Sequence, residues 1–354
     1  MKAVYNKYIL NFRQPGGTSR GVLHSRDTYF LKIVRDTSFG IGECALFRGL
    51  SVDDVPDYEQ KLQWVCENIN LDKEFLINEL LEYPSIAFGL EQALLSLKSK
   101  NNFELFPSDF TKGKDSIPIN GLIWMGSKTF MQEQIKEKLA LGFTTLKLKI
   151  GAIDFSTELD LLKSIRNEFN VDEIELRVDA NGAFHPNEAL EKLKLLSDLN
   201  LHSIEQPIKT GQWTHLAKLC EESPLAIALD EELIGIFNTI DKEKLLQTIQ
   251  PQFIILKPSL IGGVHGTDIW IKLAEENSIA WWITSALESN IGLNAIAQYT
   301  YELHTKMPQG LGTGGLFTNN IDSPLAVKNG SLHYLKDDRK YCWGDYQSLF
   351  NNLS

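Results

Sequence analysis

The sequence has little of what marks redox, metal-knuckle or membrane proteins. Its four cysteines lie far apart and form no C-x-x-C pair, which argues against a metal knuckle, a redox motif or a disulfide framework. Its seven histidines show no H-E-x-x-H or paired spacing, so a histidine metal site is not indicated. No run approaches the roughly 20 apolar residues of a membrane span, and the opening MKAVYNKYIL lacks the apolar core of a signal peptide. These absences predict reduced thiols and a cytoplasmic location.

Positive charge is also scarce. The chain has 35 lysines and arginines against 46 aspartates and glutamates, a formal net charge of -11. This balance argues against nucleic acid or an anionic membrane as a partner, and the sequence leaves the oligomeric state open. If the substrate is a small anion, the site must supply positive charge locally, which lysines and a divalent cation would do.

The length of 354 residues predicts two domains, or one large barrel with additions. Residues 1–112 contain strand-like segments, such as DTYFLKIV and FGIGECALF, before the helical stretches QKLQWVCENI and SIAFGLEQALLSLKSK. Strands that are followed by helices in this way predict an α+β domain.

Residues 113–320 alternate strands with helices, in a count of eight strands and seven helices. The strands run from IPINGLI to the short Gly-rich PQGLGTG. Eight such units match a closed parallel barrel, whose active sites lie at the C-terminal strand ends. An open doubly wound sheet is the rival, although it usually has fewer strands and one Gly-rich phosphate turn. Residues 321–354, which contain DSPLAVKNGSLHYL, are predicted to return to the first domain.

Six charged residues lie within or at the end of otherwise apolar, strand-like runs. Burying a charge costs several kcal/mol unless the charge has a partner, a metal or a shifted pKa. Because most of them recur at the length of one strand–helix unit, they predict one converging site. They are Lys147, Lys149, Asp179, Glu205, Asp230 and Lys257.

Lys147 and Lys149 share one strand face because side chains alternate across a strand. Neighbouring ammonium groups that are partly desolvated lower each other's pKa. A lysine that becomes neutral in this way can act as a general base. Lys257 follows four units later and would lie across an eight-strand ring from the pair. The alternative is a solvated edge strand with exposed lysines.

The acids Asp179, Glu205 and Asp230 would project from three successive strand ends toward one point. Crowded carboxylates repel one another unless a cation lies between them, and all-oxygen ligands favour Mg²⁺ or Mn²⁺ over zinc. Taken singly, each acid is more often a loop residue or a helix cap. Together they predict a metal site, and ammonium groups on both sides of it suit proton abstraction next to a bound carboxylate.

Five motifs resemble the muconate-lactonizing subgroup of the enolase superfamily. They are KLK at 147–149, RVDANG at 177–182, IEQP at 204–207, LDE at 229–231 and LKPS at 256–259. The resemblance covers almost the whole chain and implies a (β/α)7β TIM-like barrel with an N-terminal α+β capping domain, completed by the C-terminal tail. It implies that the three acids bind Mg²⁺, or Mn²⁺ as a substitute, and that Lys149 is the catalytic base. By the same resemblance, Lys257 faces Lys149 across the substrate and Lys147 helps to stabilise the enolate.

Three further stretches are most similar to the dehydratase branch of this subgroup, which acts in menaquinone synthesis. They are PGGTSRG at 15–21, SALESNIGLNAIAQ at 285–298 and GLGTGGLFTNN at 310–320. The implied reaction converts the dicarboxylate 2-succinyl-6-hydroxy-2,4-cyclohexadiene-1-carboxylate into 2-succinylbenzoate by syn loss of water. Lys149 would remove the proton α to the ring carboxylate and return it to the departing hydroxide, while Lys257 would only stabilise charge.

The candidate substrate contacts depend on the same resemblance. Ser285 and the backbone amides near Gly312 are candidates for holding the succinyl carboxylate, and Arg20 for closing over the substrate. The full set of candidate contacts is Arg20, Arg177, Asn181, Ser285, Gly312 and Thr313.

Other functions stay open. A dipeptide epimerase of the subgroup would use Lys149 and Lys257 as opposed bases, but such epimerases carry an Asp-x-Asp on the last barrel strand, where this chain reads GLGTGG. N-succinylamino acid racemization needs the same lysines with an apolar or amide-binding pocket, and a muconate cycloisomerase shares the catalytic residues. A non-catalytic binding protein would be expected to have lost one or more of the six charges, and none is lost.

Overall fold

The computed structural model describes residues 1–18, 21–335, 343–344 and 346–350. The strands of this part of the chain form an N-terminal antiparallel sheet, a parallel sheet of seven strands and a small antiparallel sheet that includes part of the tail. No helix within these ranges is long and apolar enough to cross a membrane. The parallel sheet carries the predicted charged residues at one of its ends.

The N-terminal domain is an antiparallel sheet that packs on helices. Its elements are β1 (Lys2–Thr18), β2 (Gly21–Arg35), β3 (Ser38–Cys44), α1 (Tyr58–Glu67), α2 (Lys73–Asn78) and α3 (Pro84–Lys98). β2 lies between β1 and β3, and its buried residues Leu31 and Ile33 share one core with Leu62 of α1 and Leu90 of α3. The predicted α+β domain is therefore present, with its strands before its helices.

Two glycines of β3 allow the backbone of α3 to lie against the strand. A β-carbon on Gly40 would lie 2.1 Å from the carbonyl oxygen of Ala93, and one on Gly42 would lie 2.0 Å from the carbonyl oxygen of Gly89. Real side chains do not tolerate such distances, so only glycine permits this approach. The absence of a side chain at these two positions therefore allows the helix to pack closely on the sheet.

The first predicted barrel strand, IPINGLI, is divided between two sheets. β4 (Ser116–Pro118) pairs with the tail, whereas β5 (Gly121–Ile123) begins the parallel sheet. The remaining parallel strands are β6 (Thr145–Lys149), β7 (Glu175–Asp179), β8 (Ser203–Glu205), β9 (Ile227–Leu229), β10 (Phe253–Leu256) and β11 (Ala280–Ile283). Each pairs with the next along the chain, as in a barrel.

The ring closes through residues 309–310, where the sequence predicts the eighth strand. Gln309 forms a parallel bridge with Ile119, which precedes β5, and Gly310 forms one with Thr284, which follows β11. The eighth strand is thus reduced to two bridged residues, yet it joins the first strand of the sheet to the last. The predicted TIM-like barrel with an N-terminal capping domain is confirmed.

Several of the helices between these strands begin at a residue whose side chain caps the helix. Asp154 accepts a hydrogen bond from the N–H of Thr157, and Asn238 accepts one from the N–H of Asp241. A short helix after β10, which begins at Pro258, was not predicted. The helices are α4 (Lys128–Ala140), α5 (Phe155–Glu168), α6 (Pro186–Ser197), α7 (Trp213–Glu222), α8 (Thr239–Ile249), α9 (Pro258–Ile261), α10 (Gly263–Glu276) and α11 (Asn290–Glu302).

The C-terminal tail reaches the first domain by way of the barrel. β12 (Leu325–Lys328) and β13 (Ser331–Tyr334) form a hairpin, and β13 pairs with β4. Farther along, Leu349 and Phe350 pack with Phe30 and Ile41 of the N-terminal sheet. The hairpin departs from the prediction that residues 321–354 return to the cap, because its partner is a strand that the sequence assigned to the barrel.

A buried carboxylate fixes β3 to the start of α11. Glu43 accepts hydrogen bonds from the hydroxyl of Thr28 (2.8 Å), from the backbone and hydroxyl of Ser289 (3.0 and 2.5 Å), and from the N–H of Gly292 (2.9 Å). The first N–H groups of a helix have no partner within the helix, and a negative charge there is favourable. One side chain of the cap therefore satisfies the end of a barrel helix and joins the two domains.

Replacing Gly42 with alanine tests the close approach of α3 to β3. We expect Gly42→Ala to lower the free energy of unfolding by about 1–3 kcal/mol or more, the usual effect of overpacking. The measurement is urea unfolding followed by circular dichroism. Gly315→Ala is the control, since nothing lies within 4 Å of a β-carbon there. Equal midpoints for both variants would show that the contact does not contribute to stability.

Candidate active site

A cavity of about 720 Å³ lies at the C-terminal ends of the barrel strands. The cap contributes Leu23, Phe47 and Leu50 to its wall, and the barrel contributes further apolar residues, among them Leu122 and Trp124. Both domains are therefore needed to enclose it. The predicted site residues that line this cavity are Lys147, Lys149, Asn181, Lys257, Ser285, Gly312 and Thr313.

The two lysines of β6 share one carboxylate. Lys149 ends the strand and donates hydrogen bonds to Oδ2 of Asp179 (2.9 Å) and Oδ1 of Asn181 (2.7 Å). Lys147 lies one layer deeper and is 6% exposed; its Nζ lies 3.0 Å from the same Oδ2 and also donates to Glu205. β6 lies between β5 and β7, so the alternative of an exposed edge strand is wrong.

The three predicted acids are almost wholly buried at the ends of adjacent strands. Asp179 and Glu205 end β7 and β8 and are direct neighbours in the sheet, while Asp230 follows β9. Lys257, which follows β10, forms an ion pair with Asp230. One oxygen of Glu205, Oε1, has no hydrogen-bond partner in the described part of the chain.

The negative charges of these acids and the positive charges of the lysines compensate each other at this end of the barrel. Burial alone would raise the pKa of Asp179, but Lys147 and Lys149 outweigh burial and hold that pKa well below its usual range. Burial and the charge of Asp179 instead raise the pKa of Glu205. For Lys147, burial lowers the pKa, but Asp179 and Glu205 outweigh it and the pKa rises. The prediction that the lysine pair lowers the pKa of each member is therefore wrong for Lys147, because its direct neighbours are carboxylates.

The acids supply the oxygen ligands that Mg²⁺ and Mn²⁺ take in proteins. The buried Oε1 of Glu205, which no donor of the described chain reaches, fits a role as a ligand. Across the described ranges, however, no three acidic, histidine or cysteine side chains are grouped as ligands of one ion. The ammonium of Lys147 lies against both Asp179 and Glu205. The donor type and the burial thus fit a divalent cation, whereas the side-chain positions define no coordination geometry.

The hydroxyl of Ser285 is committed to neighbouring side chains. It donates to Oε2 of Glu288 (2.5 Å) and accepts from the hydroxyl of Thr313 (2.8 Å) and the N–H of Leu287 (3.0 Å). A serine hydroxyl has one proton, so it does not donate to a substrate carboxylate in this arrangement. Glu288 also accepts from the hydroxyl of Ser259 (2.5 Å). Ser285 therefore lines the cavity but does not act there as the predicted donor.

Asn120 and Thr284 line the cavity and were not predicted. Oδ1 of Asn120 and Oγ1 of Thr284 have no hydrogen-bond partner among the described residues, and Asn120 is only 4% exposed. Most buried polar atoms are paired, so these two are candidates for binding substrate oxygens or N–H groups. Two features of the sequence could have identified them: Asn120 is a polar residue inside the apolar run IPINGLI, and Thr284 directly precedes the candidate Ser285.

One predicted substrate contact, Arg177, does not line the cavity. Arg177 lies two residues before the end of β7 and deeper in the barrel, where it donates to Glu175 (2.8 Å) and to the carbonyl of Pro308 (2.9 Å). Its guanidinium lies 4.5 Å from the ring centroid of Trp282. These contacts give Arg177 a structural role in the barrel interior. Arg20 lies outside the described residues.

Comparison with known proteins defines the family. The family described as Enolase C-terminal domain-like matches residues 130–337, and the one described as MenC, N-terminal domain matches residues 2–97. An o-succinylbenzoate synthase of Desulfotalea psychrophila is 47% identical, covering 94% of this chain and 98% of the relative. The chain belongs to the o-succinylbenzoate synthase family of the enolase superfamily. The predicted superfamily and its dehydratase branch are confirmed.

Solved structures agree with this family. The crystal structure of MenC from Desulfotalea psychrophila has a TM-score of 0.84 and 44% identity, and the alignment covers 94% of this chain and 99% of that one. The substrate-liganded L-Ala-D/L-Glu epimerase of Bacillus subtilis has a TM-score of 0.81 at 19% identity, covering 94% of this chain and 96% of that one. At that low identity the epimerase shows the shared fold alone.

Removing the Ser285 hydroxyl tests its commitment to Glu288. We expect Ser285→Ala to lower the free energy of unfolding by about 1.5–3 kcal/mol, the range for a hydrogen bond to a charged group. Glu288 would then keep only Ser259 as a hydroxyl donor. Urea unfolding measures the change, with Ser197→Ala as the control because its hydroxyl bonds only the carbonyl of Lys194. Unchanged stability together with a raised KM would instead make Ser285 a substrate contact.

Proposed function

We propose that this chain catalyses the o-succinylbenzoate synthase reaction, the dehydration of 2-succinyl-6-hydroxy-2,4-cyclohexadiene-1-carboxylate to 2-succinylbenzoate. The observation that carries the proposal is the charge of the cavity. Its charged lining residues, within the described chain, are the lysines Lys147, Lys149 and Lys257. In a protein of net charge -11, a cavity lined in this way suits a small dicarboxylate. The 47% identical relative of the same name supports the assignment.

Lys149 is the proposed base. Its two hydrogen-bond acceptors, Asp179 and Asn181, can take both N–H bonds of a neutral amine, which leaves the nitrogen lone pair for the substrate. The lone pair removes the proton α to the ring carboxylate. The electrons of that C–H bond form the new ring double bond as the C–O bond of the 6-hydroxyl breaks. The ammonium of Lys149 then returns the proton to the departing hydroxide on the same face, so that water leaves and the amine is regenerated.

Lys257 is the proposed source of positive charge on the other wall. It follows β10, four strands from β6 in the order of the sheet, and it also lines the cavity. Its ion pair with Asp230 holds the ammonium at the end of the barrel. A fixed cation there stabilises the negative charge that develops on the substrate as the proton leaves. Lys147, one layer below Lys149, adds to the same positive field.

Enzymes of the enolase superfamily typically use Mg²⁺. In this chain Asp179, Glu205 and Asp230 would hold the ion, with Mn²⁺ as a substitute, and their burial and oxygen chemistry support that role. When bound, the ion would supply a Lewis acid for the substrate carboxylate. The lysines transfer the proton and stabilise the developing negative charge, and the walls of the cavity bind the substrate.

The walls of the cavity suit a ring with a polar chain. Leu122, Trp124 and Leu287 offer apolar surface for the cyclohexadiene. The unpartnered oxygens of Asn120 and Thr284 line the cavity together with Gly310, one of the two residues that close the barrel, and with Gly312. The hydroxyl of Thr284, which has a proton to donate, is therefore proposed to bind an oxygen of the succinyl group in place of Ser285.

N-succinylamino acid racemization is the second candidate. A lysine on each of two walls is the arrangement that two-base racemization requires, and its substrate is also a dianion. A dipeptide epimerase has less support, because the described lining residues include no acid that could pair with a substrate ammonium.

Separate incubations of the pure protein in D₂O with the cyclohexadiene substrate and with N-succinylamino acids test the proposal. We expect aromatic product from the first. Lys149→Ala should reduce its formation by at least about 10²–10⁴-fold, the usual contribution of a general base. The exposed lysine variant Lys163→Ala is the control and should turn over normally. Product formation is followed by ultraviolet absorbance, and isotope exchange by NMR.

The alternatives have distinct signatures. Exchange at the α-carbon of N-succinylamino acids, with no aromatic product from the cyclohexadiene, would replace the dehydratase by the racemase. Lys257→Ala distinguishes the racemase and the dehydratase activities further. Racemization needs both lysines as bases, whereas dehydration uses Lys257 only for its positive charge. Substantial dehydration by Lys149→Ala would remove Lys149 as the base.

Titration with Mn²⁺ tests the metal ligands without reference to turnover. We expect Glu205→Gln and Asp230→Asn to weaken Mn²⁺ binding by more than the about 10–100-fold that loss of a supporting partner causes. Electron paramagnetic resonance of free Mn²⁺ measures the affinity, and Glu133→Gln on the exposed face of α4 is the control. Equal affinities for all four proteins would contradict the assignment.

A further inference from the structure

A second cleft, of about 440 Å³, lies where the cap meets the barrel. Its lining residues are distinct from those of the catalytic cavity. Ile77 and Leu80 of the cap form one wall, and Ile236, Leu260 and Ile269 of the barrel form the other. We name this feature the junction cleft.

Lys242 of α8 is the one lysine that lines the junction cleft within the described chain, and it is only 2% exposed. Its Nζ lies over the ring of Trp270, 5.1 Å from the ring centroid. No carboxylate of the described residues forms an ion pair with it, and burial alone shifts its pKa. Lysines are almost never this buried without a partner. Lys147, 6% exposed, has two carboxylates against it.

The charge of Lys242 persists at neutral pH despite its surroundings. Burial lowers its pKa to about 8, so the amine is still largely protonated at pH 7. Among the other titratable groups nearby, His265 also lines the cleft. Glu91 is occupied by the N–H groups of Val264 (2.7 Å) and His265 (3.2 Å). An ammonium in such apolar surroundings is stabilised by any anion that can enter.

We infer that the junction cleft binds a small apolar monocarboxylate, whose carboxylate pairs with Lys242 and whose hydrocarbon part contacts both walls. One lysine in walls that are mostly apolar selects a single negative charge over a dicarboxylate. Because one wall belongs to the cap and the other to the barrel, a ligand there stabilises the contact between the two domains. The inference does not depend on the reaction catalysed in the other cavity.

Benzoate is the probe for this site. We expect isothermal titration to show saturable binding of benzoate to the full chain, and Lys242→Met to weaken it by more than about tenfold, since a charge-assisted hydrogen bond is lost. Benzamide, which has the same shape without the charge, should bind the unmodified protein more weakly by a similar factor. Dehydratase turnover of Lys242→Met should be unchanged, which separates this site from the catalytic one.

A second variant covers the case in which Lys242→Met does not fold. Ile236→Glu places a carboxylate on the wall of the cleft, where it would compete for Lys242, and we expect it to weaken benzoate binding in the same way. Benzoate binding that survives both variants would place the ligand elsewhere and overturn the inference. The same holds if benzamide binds as tightly as benzoate, or if benzoate shows no saturable binding at millimolar concentrations.

Discussion

The compensation of buried charges at the end of the barrel is the constraint on which the site depends. Three carboxylates and three lysines meet at this end of the barrel, and an uncompensated charge there would destabilise the fold by several kcal/mol. The order of the strands supplies the compensation, because β6 brings its lysines beside Asp179 of β7, and Lys257 after β10 reaches Asp230 after β9. The same arrangement leaves the lysines at the wall of the cavity, so the interactions that make the site stable also make it cationic.

The sequence could predict these residues because charge is costly inside an apolar run. Glu205, between Ile204 and Gln206, has no structural reason to be charged in a three-residue strand unless it meets a cation. The alternation of strands and helices then places such residues at one end of a barrel. The pattern cannot show how the side chains pair, and Lys147 illustrates this: its sequence neighbour is another lysine, whereas its spatial neighbours are acids from β7 and β8.

Other features required the three-dimensional structure. Arg177 shares a strand face with Asp179, and alternation alone cannot distinguish the mouth of the barrel from its interior, where Arg177 meets Trp282. Ser285 follows a strand end, but its hydroxyl donates a hydrogen bond to Glu288, three residues along the chain. This contact forms in a short turn, which a strand or helix periodicity cannot predict. The division of IPINGLI into β4 and β5 likewise depends on a distant hairpin, since β4 finds its partner only in the tail.

The two buried lysines, Lys147 and Lys242, show why burial alone does not define function. Both are nearly inaccessible, yet the pKa of Lys147 rises because carboxylates outweigh its burial, whereas the pKa of Lys242 falls because burial acts alone. Each lysine of the catalytic site forms an ion pair with a carboxylate. The amine of Lys242 forms no ion pair with a carboxylate of the described residues and lies instead against the indole ring of Trp270. Since an ammonium in apolar surroundings is stabilised by an anion that enters them, the proposed ligand at the junction of cap and barrel would supply the negative partner that Lys242 does not find among the described residues.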